Sequence, residues 1–436
     1  METIGSELNL FEPATVQSAV VGESVVEFAP IATIQQGSPI DFQIEGGGQN
    51  YIDLNNSKLE IRAKLVIDTA GTITDIGTTH VGVANLTLHS LFSAVTIKIG
   101  DKVVTESNNL YPYRAMLETL INYPRDVINS RLLSEMFIED LSTAMADPNP
   151  AGTNTGLVGR EAFFAGSRTA RLVGRLHSDL WHQEKLLPPQ LKLEIQLVPN
   201  RAAFVVKPDL PAVVSGARGP QVIYKIHIIS ARFLIQMKEI SPPMFLAHQK
   251  MLETVNYQIP HTKVSLKTHM VPNGVLSYNI DNLFKGKLPD RIVLAMVTNQ
   301  AITGHYQTNP FNFQNFGLNY LVLKVNSQMV PRIPLEPNFG DPSDYLREYM
   351  HVLETLEYDV GPNIWSLTPA SWATGNNIWA FKITPGPLGG VRSAPVTGDI
   401  RLEMKFAAQT ANGITLILLS EEPATLEIDK FGHVFI

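Results

Sequence analysis

The two halves of this chain carry the same strand and helix signals in the same order, offset by roughly 210 to 240 residues. A repeat on that scale implies two like domains, because solenoid arrays repeat every ~20–50 residues. Residues 38–54, SPIDFQIEGGGQNYIDL, pair with residues 263–283, KVSLKTHMVPNGVLSYNIDNL: an alternating strand, a Gly or Asn-Gly turn, then Tyr and Ile-Asp before Leu. SKLEIRAKLVI from Ser57 pairs with GKLPDRIVLAMV from Gly286, and VTIKIGDKVV from Val95 with LVLKVNSQMV from Leu321. The members of this last pair each read as a hairpin closed by a two-residue turn, Gly-Asp or Asn-Ser. A Leu-Glu-Thr-Leu helix follows in each half, at Leu117–Leu120 and Leu353–Leu356, and LKLEIQL from Leu191 then matches IRLEMKF from Ile400.

Period-two alternation dominates the rest. It predicts strands at 26–31, 40–45, 59–68, 95–100, 191–198 and 222–235 in the first half, and over KVSLKTHMV, RIVLAMV, LNYLVLKVN, IWAFKI, DIRLEMKFAA and ITLILLS in the second. Helical periodicity is confined to short pieces: Tyr113–Leu120 behind Pro112, Pro243–Leu252 with Ser241 as its cap, and Asp344–Leu356. A parallel α/β fold would need a helix of about 10–15 residues between successive strands. The expected fold is therefore all-β, two tandem jelly-roll β-sandwiches with a few short helices in the connections. The boundaries read as an N-terminal arm at 1–23, a first jelly roll at 24–238, a linker helix at 239–253 and a second jelly roll at 254–436. Segments 138–170 and 357–377, rich in Gly, Pro and Asn, read as long loops.

Composition narrows the function. The chain of 436 residues is 44% hydrophobic and 17% charged, with 29 Pro and 30 Gly, which describes a folded, turn-rich protein. Its net charge is −7 and no long Lys/Arg run occurs, so a phosphate-neutralising patch for direct nucleic-acid binding is not expected. The absence of Cys removes disulfides, thiolate metal sites and thiol nucleophiles. No apolar run approaches the ~18 residues of a membrane span, and METIGSELNL lacks the pattern of a signal peptide, which points to a chain made in the cytosol or nucleus. The sequons at Asn55 and Asn85 are accordingly not read as glycosylated.

Motifs for chemistry are weak. His177, Asp179, His182 and Glu184 form the densest group of potential metal ligands, but the five-residue His spacing suits neither a helical face nor one face of a strand. The segment reads as a solvated loop and strand end, and no metal, cofactor or catalytic residue is assigned. Gly46-Gly47-Gly48 reads as a hairpin turn or bulge, although Ile44-Glu45-Gly46-Gly47 resembles an adenovirus-type protease cleavage site. Glu421 and Glu422, before Pro423, are placed on a turn. Trp365, Trp372 and Trp379 recur every seven residues, and with Pro369 and Gly375 between them they read as packing residues rather than a stacking platform. The aromatic block NPFNF, Asn309–Phe313, could be a ligand patch or an inter-strand loop.

Two blocks, YPYRAMLETL and NPFNF, sit within a stretch of roughly residues 24 to 360 that resembles the double jelly-roll major capsid protein of Polinton-like and adintovirus-type DNA viruses. The last ~70 residues match that family in pattern only. The resemblance implies a hexon: a homotrimer whose six upright sandwiches make a pseudo-hexagonal capsomer that tiles an icosahedral shell. It also implies a virion location after assembly in the host nucleus or cytoplasm, with penton and minor capsid proteins as partners. The alternative from another class is a tandem jelly-roll carbohydrate-binding or cupin-like protein, which would need an exposed aromatic platform or a clustered His/Glu metal set.

Overall fold

The structure is a computed structural model that describes residues 17–69, 72–209, 223–358, 364–384 and 396–435. Alternating sequences pair into sixteen principal strands, eight in each half. The first half contributes β1 (Val20–Phe28), β2 (Ile40–Glu45), β3 (Asn50–Thr69), β4 (Phe92–Ile99), β5 (Lys102–Glu106), β6 (Ala170–Gly174), β7 (Lys192–Pro199) and β8 (Ile223–Ile240). The second contributes β9 (Tyr257–Val271), β10 (Ser277–Ile280), β11 (Arg291–Thr298), β12 (Leu318–Val325), β13 (Gln328–Leu335), β14 (Ile378–Lys382), β15 (Thr397–Phe406) and β16 (Ile414–Ile428).

In the first half one sheet runs β1-β8-β3-β6 and the facing sheet β2-β7-β4-β5, all antiparallel. The second half repeats both orders as β9-β16-β11-β14 and β10-β15-β12-β13. Every strand thus has its counterpart eight strands later. Alternation decides which side chains enter each core. In β2, Ile40, Phe42 and Ile44 are buried while Asp41, Gln43 and Glu45 are exposed. The buried three join a core with Leu59, Ile61, Phe233 and Ile235 from the other sheet, and Phe42 meets Phe233 edge-on with ring centroids 4.7 Å apart.

The hairpin turns fall where the dipeptides place them. Ile99 pairs with Lys102 across Gly100-Asp101, and Val325 with Gln328 across Asn326-Ser327, whose positive φ values of 47° and 70° suit a two-residue turn. Pro331 and Pro334 lie in β13, which among the described residues pairs with β12 alone.

Among the described residues four helices of ten residues or more lie in the connections around these sheets: α1 (Tyr111–Asn122), α2 (Thr155–Phe164), α3 (Pro242–Leu252) and α4 (Leu346–Thr355). The repeated Leu-Glu-Thr-Leu lies in α1 and at the end of α4. α3 links the sandwiches inside the expected 239–253 span, with Ser241 at its start, but the Ser241 side chain makes no cap hydrogen bond. Among the described residues no helix is long and apolar enough to cross a membrane.

Several expectations need correction. β1 begins at Val20, inside the span read as an arm; residues 1–16 of that arm lie outside the described residues. The first sequence pairing slips by one strand. Residues 40–45 pair with β7 and residues 277–280 with β15, so IDFQIE corresponds to SYNI and not to KVSLKTHMV. A strand, a turn and a strand describe every hairpin of such a fold, so that pattern slides; the hairpins and helices tied to specific dipeptides do not. Segment 138–170 is not only loop, because α2 lies in it. Gly156 and Gly159 conceal the helix from propensity, yet a Cβ at Gly156 would stand 2.7 Å from the Asp140 Cα. Glu421-Glu422-Pro423 is not a turn but mid-β16. Pro423 is tolerated there because the ladder to β11 ends at Glu421, which leaves that edge without a donor requirement.

Phe233→Ala should leave a cavity between the facing sheets and lower unfolding free energy by about 3–5 kcal/mol, read as a fall in the urea midpoint of the first sandwich.

Candidate functional site

The structure concentrates its distinctive side chains along the seam between the sandwiches. α1 is the spine of this seam: every residue from Tyr111 to Ile121 is buried, Arg114, Glu118 and Thr119 included. The second half grips it from several directions. Phe311 of NPFNF packs against Tyr113 and Phe204, with centroids 5.7 and 6.0 Å away. Trp365 donates its indole N–H to the Leu120 carbonyl in the last turn of α1 at 2.7 Å, satisfying a carbonyl that the helix end leaves open. Asn309 donates to Asp140 at 3.2 Å, and Asp140 is held by Arg160 of α2 at 2.7 Å. NPFNF is therefore an inter-sandwich plug, and segments 138–158 and 364–377 meet, with Gly375 clearing space for Met145.

Inside the first half, beneath α1, lies a buried polar network. Arg114 Nε donates to Glu118 Oε1 at 2.8 Å and Nη2 to Asp179 Oδ1 at 2.6 Å. Asp179 also accepts from the Thr105 hydroxyl and, across the seam, from the Val264 N–H at 3.1 Å. His177 Nδ1 meets Glu118 Oε2 at 2.7 Å, while His89 contacts Tyr111 Oη through Nδ1 at 2.8 Å and Glu135 Oε2 through Nε2 at 3.1 Å. Burial opposes the charge on Glu118, but the Arg114 guanidinium and the His177 bond outweigh it and hold the carboxyl well below its ordinary range. Burial pushes His177 down to about 4 against the pull of Glu118, so its ring is neutral near pH 7.

Of the four ligand candidates read from the sequence, His177 and Asp179 belong to this network. His182 is exposed, yet its ring lies 5.7 Å from that of His177 and its donor atom within 4.8 Å of those of His177 and Glu118, whereas Glu184 is exposed without joining them. The strand argument for opposite faces fails because Asp179–His182 is a 3-10 turn. His89, Glu118 and Glu135 were missed, since they come from three distant connections and only the fold assembles them. Asn85 is buried and its side-chain oxygen accepts from Leu86 and Ile138 N–H groups.

A second buried charge bridges the halves. Lys207 is 3% exposed and donates to the Ala203 carbonyl and to the His305 carbonyl of the second half, at 3.1 and 2.9 Å. Burial pushes its ammonium down to about 7.

Trp372 and Trp379 are fully buried with centroids 5.0 Å apart, and Trp365 is 4% exposed. The N–H groups of Trp372, Trp379 and Trp365 go to Ile378 O, Asn377 Oδ1 and Leu120 O respectively. The three are core, not a platform. Gly46 is wedged between β2 and the chain at Pro189, where a Cβ would stand 2.8 Å from the proline Cα.

No protein-family model matches the chain. An uncharacterized protein of Caenorhabditis elegans is 20% identical over 397 residues, covering 89% of this chain and 88% of that protein. A chain of the Sputnik virophage solved by cryo-EM superposes with a TM-score of 0.64 and 13% identity, over 100% of this chain and 92% of its own. PBCV-1 VP54, fitted into a reconstruction of virophage Sputnik, gives 0.59 and 11% over 98% of each chain, and the Faustovirus major capsid protein 0.57 and 10% over 96% and 93%. The chain is a double jelly roll. That name covers the strand orders described above and the sandwich cores they enclose.

Within the double jelly roll, Arg114→Leu should cost on the order of 3–5 kcal/mol, because Glu118 and Asp179 are left buried without the guanidinium that balances their charge. Arg291→Leu, at the partly exposed Arg291–Glu421 pair, should cost about 1 kcal/mol or less; urea melts of both variants check the contrast. For Lys207 the unfolded ammonium titrates near its ordinary value of 10.5 and the folded one near 7. Between these values the unfolded chain binds the extra proton, so this group's contribution to stability rises with pH, by up to about 1.4 kcal/mol per unit. Wild-type stability minus that of Lys207→Met, measured from pH 7 to 10, should increase accordingly.

Proposed function

We propose that this chain is a structural major capsid protein that assembles as a homotrimer, three twinned sandwiches making a pseudo-hexagonal capsomer of an icosahedral DNA-virus shell. The observation that carries the reading is the recurrence of both strand orders in two sandwiches locked by one seam. A lattice point with six neighbours needs a block with six similar sides, and three copies of a twinned subunit supply them from one chain. Closed symmetry repeats each interface three times, so modest contacts add up. The Faustovirus chain with the same fold is a major capsid protein, and the YPYRAMLETL and NPFNF blocks favour a Polinton-like or adintovirus-type source. The function then resides in shape and the virion is its location, with penton and minor capsid proteins completing the shell.

The surface has material for such contacts. α3 buries only Leu252, leaving Met244, Leu246 and Met251 at 39%, 65% and 63% exposure. Met244 and Met251, seven residues apart and so on one face of the helix, mark an association surface with exposed Val255 (56%), and the occupant proposed is a neighbouring copy of the chain. Light scattering should give about 144 kDa, three times 48.1 kDa, with hexagonal outlines under the electron microscope. Met244→Asp combined with Met251→Asp should move the mass toward the single subunit while far-ultraviolet circular dichroism stays unchanged. A wild-type monomer at micromolar concentration would sink the trimeric reading.

A further inference from the structure

The geometry points to a divalent-metal site in the first sandwich, formed by His89, Glu135 and His177 and suited to Zn²⁺. One ligand atom from each of the three lies within 4.8 Å of the others, and all three residues are buried. They come from separate connections: His89 from the short helix Thr87–Ser90, Glu135 from the 3-10 turn Arg131–Glu135, and His177 from the loop after β6. Two neutral imidazoles and a carboxylate with a fourth position open form a zinc donor set.

Three independent features favour a cation here. The first is orientation. His177 Nδ1 is held by the Glu118 carboxylate, which leaves its Nε2 as the ligand atom, while His89 Nδ1 lies against the Tyr111 hydroxyl and its Nε2 faces Glu135 Oε2. An imidazole fixed through its other nitrogen, most often by a carboxylate, is the usual support of a metal-bound histidine. Binding asks only that the His89 proton sit on Nδ1, where Tyr111 Oη can accept it. The second is charge. Glu118, Glu135 and Asp179 are 4% exposed each and carry three negative charges, against the single positive charge of equally buried Arg114. The buried carboxylates outnumber the buried guanidinium by two, so added positive charge is favoured there. The third is room. Glu135 stands at the wall of a groove beside Arg131, Gly174 and Arg175. A Cβ at Gly174 would stand 2.6 Å from the Glu135 Cδ, so the glycine is what lets the carboxylate lie there. His89 Nε2 and Glu135 Oε2, 3.1 Å apart, already approach the ~3.4 Å edge of a tetrahedron with ~2.1 Å bonds.

An ion at this point would tie three loops of the sandwich that no disulfide can tie, the chain having no Cys. The experiment uses the full chain, stripped with chelator and titrated with ZnCl₂ by calorimetry, with bound metal counted by mass spectrometry. One Zn²⁺ per chain is expected. Glu135→Gln and His177→Gln should weaken it at least 100-fold, and Tyr111→Phe by roughly 10-fold, as loss of an outer partner does. His80→Ala with His433→Ala, at the exposed His80–Glu161 and His433–Asp429 pairs, should leave it unchanged. Because ligand variants can misfold, Co²⁺ added to the wild-type chain gives a second readout: visible bands of a four- or five-coordinate ion, with two imidazoles in its X-ray absorption spectrum. No uptake by the wild-type chain, uptake that survives Glu135→Gln, or uptake lost in the His80/His433 variant would each overturn the site.

Discussion

Burial of α1 on every side is the constraint on which the architecture depends. A helix whose whole circumference is buried cannot belong to one sandwich alone; it has to be closed in by the other. Aromatic rings of NPFNF, the Trp365 indole on the Leu120 carbonyl and the Val264 N–H on Asp179 all come from the second half to do so. The polar residues carried inward by this helix, Arg114 and Glu118, then require partners, and the surrounding loops provide Asp179 and His177. The seam and the buried network are two sides of one packing decision.

The repeat keeps its topology and diverges in use. Glu118 and Glu354 occupy the same position in the two Leu-Glu-Thr-Leu helices, yet Glu118 is 4% exposed and ion-paired whereas Glu354 faces solvent. α1 lies at the seam, and α4 turns only part of its surface inward, through Glu348, Tyr349, Val352 and Thr355. Identical local sequence therefore yields an inward network in one half and an ordinary surface in the other, because position in the fold sets the dielectric around the carboxylate.

Much of the fold was legible because alternation and turn dipeptides are local signals. β2 appears in the sequence with the bounds found in the structure, and both dipeptide hairpins close where expected. What failed was non-local. The helix α2 is hidden by glycines, and Gly156 is there for packing against Glu139 and Asp140; the Glu421 region reads as a turn only if the ladder to β11 is unknown. The candidate site was least legible. Sequence proximity grouped His177 with His182 and Glu184; the fold keeps His182 beside it, drops Glu184, and adds His89, Glu118 and Glu135, tens of residues away, which no spacing rule reaches.

Pro331 and Pro334 in β13 bear on how subunits can meet. A proline withholds the donor a neighbouring strand would need, so the edge of this sheet resists extension by another chain. Subunits brought together there must join by side chains rather than by a shared sheet. Such joints are individually weak and separable, so in the proposed shell a wrongly seated subunit could leave before its neighbours trap it, and growth would correct its own errors.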